Sequence, residues 1–311
     1  MTEAPVIEAE NATKRYGEVL GLNGFTARFP PGITALIGPN GAGKSTFFRL
    51  LVGQLRLDGG RLTVLGQDPW NSLELHREIG YCPESPNVYG WMSAFEFVSY
   101  LLRLDGFDRS AAEDRAARAL AEVGLSASAA RRLRGFSKGM RQRVKLAQAI
   151  AHDPRLLLLD EPLNGLDPVG RFELIDLFRK LAQAGRHLVV SSHVLYEVER
   201  LTEEVVILTN GRVIAQGNLH RLRDAIDDHP HTILLRSPDP RRLGERLARR
   251  LDVSSVEFLP TGEVSIRTQS PDRFYSEFPR LVVDEDLPVT SMSSPDDNLE
   301  SVFRFLSEGA R

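Results

Sequence analysis

The chain has a single cysteine, Cys82, in 311 residues, so it can hold no internal disulfide and no cysteine cluster for zinc. Tryptophan is almost as scarce, with only Trp70 and Trp91. Lysine is confined to positions 14, 44, 138, 145 and 180, which leaves the basic side almost entirely to arginine. No apolar run approaches the roughly 18 residues that a membrane-crossing helix requires. The opening Met1-Thr2-Glu3-Ala4-Pro5 lacks the basic and apolar stretches of a secretion signal, and a cytoplasmic protein is expected. A formal net charge of -3 leaves no basic excess for a nucleic-acid footprint, so no nucleic-acid partner is expected. With 42% hydrophobic residues, there is ample material for the core of one large domain or two ordinary ones.

What the chain does have is Gly38-Pro39-Asn40-Gly41-Ala42-Gly43-Lys44-Ser45-Thr46, which fits the phosphate-binding pattern G-x-x-x-x-G-K-[ST] at every fixed position. The apolar run Ile33-Thr34-Ala35-Leu36-Ile37 before it predicts a buried strand, and Thr46-Phe47-Phe48-Arg49-Leu50-Leu51 after it has helical spacing. In that context the glycines let backbone N–H groups turn inward around phosphate oxygens, at the positive end of the helix dipole. Lys44 is placed to reach the β- and γ-phosphates, and Ser45 to ligate Mg²⁺. A second apolar run, Leu156-Leu157-Leu158-Leu159, ends in Asp160-Glu161-Pro162 and reads as a buried parallel strand opening into a crevice. Asp160 is expected to hold Mg²⁺ and Glu161 to act as general base on a water in line with the γ-phosphate. Acids at such a position, without the glycine-rich loop upstream, would read as simple strand ends.

With these two motifs in hand, the chain resembles the nucleotide-binding subunits of ATP-binding cassette (ABC) transporters, over residues of about 5–220. Phe136-Ser137-Lys138-Gly139-Met140 resembles the family signature usually written LSGGQ; Ser137 and Gly139 keep its fixed positions, while Phe136, Lys138 and Met140 depart from it. The resemblance implies that Ser137 and Gly139 meet the γ-phosphate of ATP held by the other subunit of a homodimer. Ser137 alone would read as a helix cap. Asn164-Gly165-Leu166-Asp167 resembles the family's D-loop, which makes Asp167 a contact toward the opposite site. His193, at the end of Leu188-Val189-Val190-Ser191-Ser192, stands where the family has its switch histidine. Tyr16, in Lys14-Arg15-Tyr16-Gly17, resembles the aromatic that stacks on adenine. Glu84, after Ile79-Gly80-Tyr81-Cys82-Pro83, takes the place of a glutamine that contacts the metal, and its carboxylate is also an oxygen donor. The aromatic-rich segment 88–102 falls where the family docks a short helix of its membrane permease, so some of its rings should face outward.

The expected architecture is α/β: a P-loop NTPase domain of ABC type over residues 1–228, with a parallel core sheet, an antiparallel β subdomain and an α-helical signature subdomain. Asp227-Asp228-His229-Pro230 reads as a linker. Residues 229–311 then predict β-α-β-β-α-β and a terminal helix near 296–308, a small α+β ferredoxin-like domain with an accessory or regulatory role. The implied function is an ATPase, with ATP and Mg²⁺, working beneath a separate permease on the inner face of the cell membrane, with the ending Asp297-Asn298-Leu299-Glu300-Ser301-Val302-Phe303 resembling subunits of exporters. The rivals are a cassette without a permease, one that only regulates, and a GTPase, for which the N-K-x-D base-recognition motif is missing.

Overall fold

The computed structural model describes residues 4–70, 72–85, 88–224 and 231–294. The chain divides into two compact units, Met1–Gly217 and Asn218–Arg311. The first opens with β1 (Ile7–Tyr16) and β2 (Val19–Phe29), which pair antiparallel around Gly17 in the left-handed region, φ 59°. Then come β3 (Ile33–Ile37), α1 (Lys44–Leu51), β4 (Gly59–Val64), α2 (Leu73–Glu78), β5 (Ile79–Cys82), α3 (Ala94–Leu104), α4 (Arg109–Glu122) and α5 (Lys138–Ile150). The unit continues through β6 (Leu156–Leu159), α6 (Pro168–Gln183), β7 (His187–Ser192), α7 (Leu195–Leu201), β8 (Glu204–Thr209) and β9 (Arg212–Asn218).

Two sheets organise this unit. One is antiparallel, in the order β2-β1-β4, and the other has six strands in the order β5-β6-β7-β3-β8-β9. The pairings from β5 through β6, β7 and β3 to β8 are all parallel, which requires a crossover between each pair and buries both sheet faces. β6 shows the consequence of a two-residue period. Leu157 and Leu159 pack into the core shared with α3–α6, while Leu156 and Leu158 pack into the core shared with α1 and the antiparallel sheet. All four are fully buried, and each such leucine stabilises the fold by about 1.5–3 kcal/mol. Cys82, at the end of the neighbouring β5, is also fully buried.

Several helices start where short polar side chains meet free backbone N–H groups. Ser93 and Glu96 form a capping box at α3, with Glu96 N–H donating to Ser93 Oγ (3.1 Å) and Ser93 N–H donating to Glu96 Oε2 (2.7 Å). Asp108 caps α4 by accepting from Ala111 N–H (2.9 Å). At the far end of the six-stranded sheet, β8 turns into β9 through Asn210 and Gly211, both with positive φ (51° and 75°), as an Asn-Gly hairpin turn requires.

The second unit holds α8 (Leu219–Asp224), β10 (His231–Arg236), α9 (Pro240–Leu247), β11 (Val253–Phe258), β12 (Glu263–Thr268), α10 (Pro271–Asp284) and β13 (Ser291–Ser293). Its sheet runs β11-β12-β10-β13, antiparallel throughout, over a core of Ile233, Leu235, Leu243, Leu247, Val264, Ile266, Phe274 and Phe278. The linker 227–230 and the terminal helix near 296–308 lie outside the described residues.

Candidate active site

The P-loop runs from the end of β3 to the first turn of α1, and two of its glycines are required by their surroundings. A Cβ at Gly38 would stand 2.4 Å from the Leu208 carbonyl, and one at Gly43 would stand 2.5 Å from the Gly21 carbonyl. Gly43 is also left-handed, φ 111°, directly before Lys44 opens the helix. The hairpin turn of β8 and β9 braces the loop from outside: Gly211 N–H donates to Ala42 O (2.8 Å), and Asn23 N–H donates to Gly211 O (2.9 Å).

Lys44 is buried and donates to Gly38 O (2.6 Å) and Pro39 O (3.3 Å). Its Nζ is also 3.3 Å from Glu161 Oε1, an ion pair between two groups that are almost wholly shielded from water. Glu161 Oε1 nevertheless accepts no hydrogen bond, because the ammonium aims at the two carbonyls. The other carboxylate oxygen, Oε2, is 2.9 Å from His193 Nδ1. Thus β6, β7 and the P-loop bring Lys44, Glu161 and His193 together.

Asp160 and Glu161 share one hydroxyl. Ser191 Oγ donates to Asp160 Oδ1 (2.7 Å) and accepts from Glu161 N–H (2.8 Å), and it is fully buried. Glu161 has φ 49°, a left-handed conformation uncommon for a residue with a side chain, and this hydrogen bond helps to hold it. Burial pushes the Asp160 pKa up, against the pull of the Ser191 and Ser45 hydroxyls, so a nearby cation is what would favour its charged form. A recess of about 300 Å³ is lined by Ser45, Asp160 and Glu84, with Arg49, Gln54 and Gln148. No group of three or more histidine, cysteine, aspartate or glutamate side chains able to hold a metal is found among the described residues. A hydroxyl and one or two carboxylates completed by phosphate oxygens are, however, the donor set magnesium favours, so the residues fit that ion.

Other expected site residues are placed as follows. Tyr16 is exposed at the end of β1, and its ring and Thr46 lie against the same glycine, Gly21, whose Cβ would come 2.7 Å from Tyr16 Cε2 and 3.1 Å from Thr46 Cγ2. Ser137 is exposed and caps α5, accepting from Met140 N–H (3.1 Å). Gly139 faces Leu166, and Gly165 lies under the Lys138 side chain, so the signature and the D-loop touch within one chain. Among the described residues, no hydrogen bond joins Ser137 or Gly139 to the P-loop of the same chain. Asp167 caps α6, accepting from Gly170 N–H (2.7 Å). In the segment 88–102, Tyr89, Trp91 and Tyr100 face outward while Met92, Phe97, Val98 and Leu102 are buried. The outward rings line a groove of about 1220 Å³ with Phe95, Arg103 and Arg132.

Sequence reasoning missed Ser191 and an ion pair between the half-exposed Arg171 and the buried Glu197. Arg171 on α6 donates to Leu166 O (3.2 Å) and to Glu197 Oε1 on α7 (2.8 Å). Burial raises the Glu197 pKa, and the Arg171 charge opposes that rise.

The family described as ABC transporter matches residues 22–164, which hold the P-loop, the signature and both acids. Over 307 residues the chain is 31% identical to the daunorubicin/doxorubicin resistance ATP-binding protein DrrA of Streptomyces peucetius, spanning 97% of this chain and 92% of that one. The chain belongs to the ATP-binding subunits of ABC transporters. This cassette is also 41% identical over 191 residues to YxlF of Bacillus subtilis (strain 168), an uncharacterized ABC transporter ATP-binding protein, covering 61% of this chain and 62% of YxlF. Several such relatives are therefore matched over only about three fifths of their length. A solved structure of the ATP-binding subunit of an ABC transporter superposes on the cassette with a TM-score of 0.64 at 29% identity, covering 71% of this chain and 93% of that one. No helix among the described residues is long and apolar enough to cross a membrane.

Proposed function

We propose that the chain binds and hydrolyses Mg·ATP as one half of a homodimer that drives a separate, exporting membrane permease from the inner face of the membrane. The observation that carries this reading is the meeting of buried Lys44 and Glu161 with the more exposed His193 beside the P-loop, with Glu161 Oε1 left without a hydrogen bond. A buried acceptor without a donor costs about 1–3 kcal/mol, and a water bound there would relieve it. Such a water would lie where Glu161 can take its proton, with His193 orienting the carboxylate. Lys44 and the P-loop N–H groups hold the phosphates, and Tyr16 offers a ring to the adenine. Ser45 and Asp160, with Glu84, would hold Mg²⁺, which when bound neutralises charge on the phosphates.

The homodimer is supported by the helix start at Ser137 and Gly139, with Ser137 exposed and neither residue hydrogen-bonded to the P-loop of its own chain among the described residues, which leaves it open to the partner's nucleotide, together with Asp167. A groove walled by Tyr89, Trp91 and Tyr100 fits an apolar helix of the permease, the mode in which such a helix anchors in a hydrophobic cleft. Outward transport is supported by the likeness to a protein named for drug resistance. For residues 229–311 we propose a ferredoxin-like accessory domain, in keeping with the order β-α-β-β-α-β and the sheet order β11-β12-β10-β13. The test of the catalytic reading is Glu161→Gln, which keeps the cradle but loses the base. ATP should bind as before while turnover falls by roughly two or more powers of ten and ATP-bound dimers accumulate. Near-normal turnover of the purified variant would remove Glu161 as general base.

A further inference from the structure

Lys145 lies on α5, the helix that begins at the signature, and its side chain is buried. Its Nζ donates to Pro83 O (2.6 Å) and to Glu84 O (2.9 Å), the two carbonyls that follow β5. Among the described residues no carboxylate comes within ion-pair distance of this ammonium. The residue before those carbonyls is tied down as well, since Asp160 N–H donates to Cys82 O (2.9 Å) and Gln142 Nε2 on α5 lies 3.7 Å from Cys82 Sγ. Glu84, so fastened, lines the recess with Ser45, Asp160 and Gln148, the last also on α5.

A buried ammonium with no carboxylate in direct contact is an expensive way to gain stability, since burial disfavours its charge, and an apolar side chain of the same length avoids that desolvation. What the ammonium supplies that methionine cannot is two directed hydrogen bonds to a neighbouring loop. We propose that Lys145 is a positioning residue that fastens the loop carrying Glu84 to the signature helix, so that a shift of α5 reaches the divalent-cation side of the nucleotide site. The inference rests on the reading of Glu84 as a metal-facing residue.

The test uses the full chain with Lys145→Met, Lys145→Arg, Glu84→Ala and the Lys145→Met/Glu84→Ala double variant. Mn²⁺ binding to the ATP-loaded protein is followed by paramagnetic resonance, and amide exchange is followed at residues 84 and 85. Lys145→Met should keep its thermal midpoint and its affinity for ATP without divalent cation, yet lose about fivefold or more in Mn²⁺ affinity and exchange at least tenfold faster at 84 and 85. Lys145→Arg, which keeps donors for both carbonyls, should restore most of the Mn²⁺ affinity. The double variant should bind Mn²⁺ no more weakly than Glu84→Ala alone, because both act through one carboxylate. Unchanged exchange and Mn²⁺ affinity in Lys145→Met would overturn the proposal. Faster exchange with unchanged Mn²⁺ affinity in both Lys145→Met and Glu84→Ala would instead overturn the metal-facing reading of Glu84, and this inference with it. If Lys145→Met fails to fold, Lys145→Gln, which keeps one donor, decides by the same readings.

Discussion

Ser191→Ala removes the one hydroxyl that joins the two acids. Two buried groups lose their partner at once: Asp160 Oδ1, now 2.7 Å from the donor, and Glu161 N–H, now 2.8 Å from the acceptor. An unsatisfied buried group costs about 1–3 kcal/mol, and Asp160 retains a second donor in Ser45, so a loss of about 3 kcal/mol is expected. For a unit of this size that is a fall in Tm of about 6–12 °C, read by circular dichroism. The same change frees the left-handed backbone of Glu161, φ 49°, so kcat should fall by about tenfold while the KM for ATP moves little. The pH profile carries a signed check. Burial raises the Asp160 pKa and the Ser191 hydroxyl lowers it, so the variant's Asp160 protonates at a higher pH and the acid limb of the rate moves upward. A Tm within about 2 °C of the parent, with kcat and acid limb unmoved, would refute the reasoning.

Lys44→Ala should weaken ATP binding and turnover together, since the ammonium faces phosphates in both the ground and transition states; equilibrium binding alongside steady-state rates checks this, and loss of turnover alone would contradict it. Trp91→Ala removes a ring that is 70% exposed, so ATP binding and Tm should stay within error while co-purification with the permease falls several-fold. Arg15 N–H and the Lys14 ammonium hold the Asp58 pKa below its ordinary 3.8, so its contribution to stability is present above that pH and lost as pH falls through the lower folded value. Asp58→Asn should flatten that acid-side loss, measured as Tm from pH 5 down to about pH 2.

The P-loop was legible because its chemistry is contiguous: one backbone turn supplies the N–H groups, and Lys44 and Ser45 follow it directly. Asp160 and Glu161 were legible because a fully apolar strand that ends in acids can open only at a sheet's edge. Ser191 was not, because its partners lie about thirty residues away in sequence and meet it only through the β6·β7 register, in which Leu159 faces Val190. Lys145 reads as an ordinary helical lysine until the loop after β5 is seen to pass over it. The aromatic density of 88–102 was plain, but the division between outward Trp91 and inward Phe97 depends on how α3 leans on α4 and α5. In the second unit the strand and helix order could be read from periodicity, whereas the short edge strand β13, Ser291–Ser293, is marked only by its pairing with β10.

The solitary, fully buried Cys82 has a practical side. Burial pushes its thiol up to about 12, so at neutral pH only on the order of one molecule in 100,000 carries the reactive thiolate. Maleimide and iodoacetamide reagents should pass the folded protein by. A cysteine introduced at an exposed position away from the nucleotide site, such as Ala117 on α4, would then take a spin label or fluorophore alone, without first removing the native one. The distance between two such labels, one on each copy of the chain, would follow the opening and closing of the ATP-bound pair as a direct ruler.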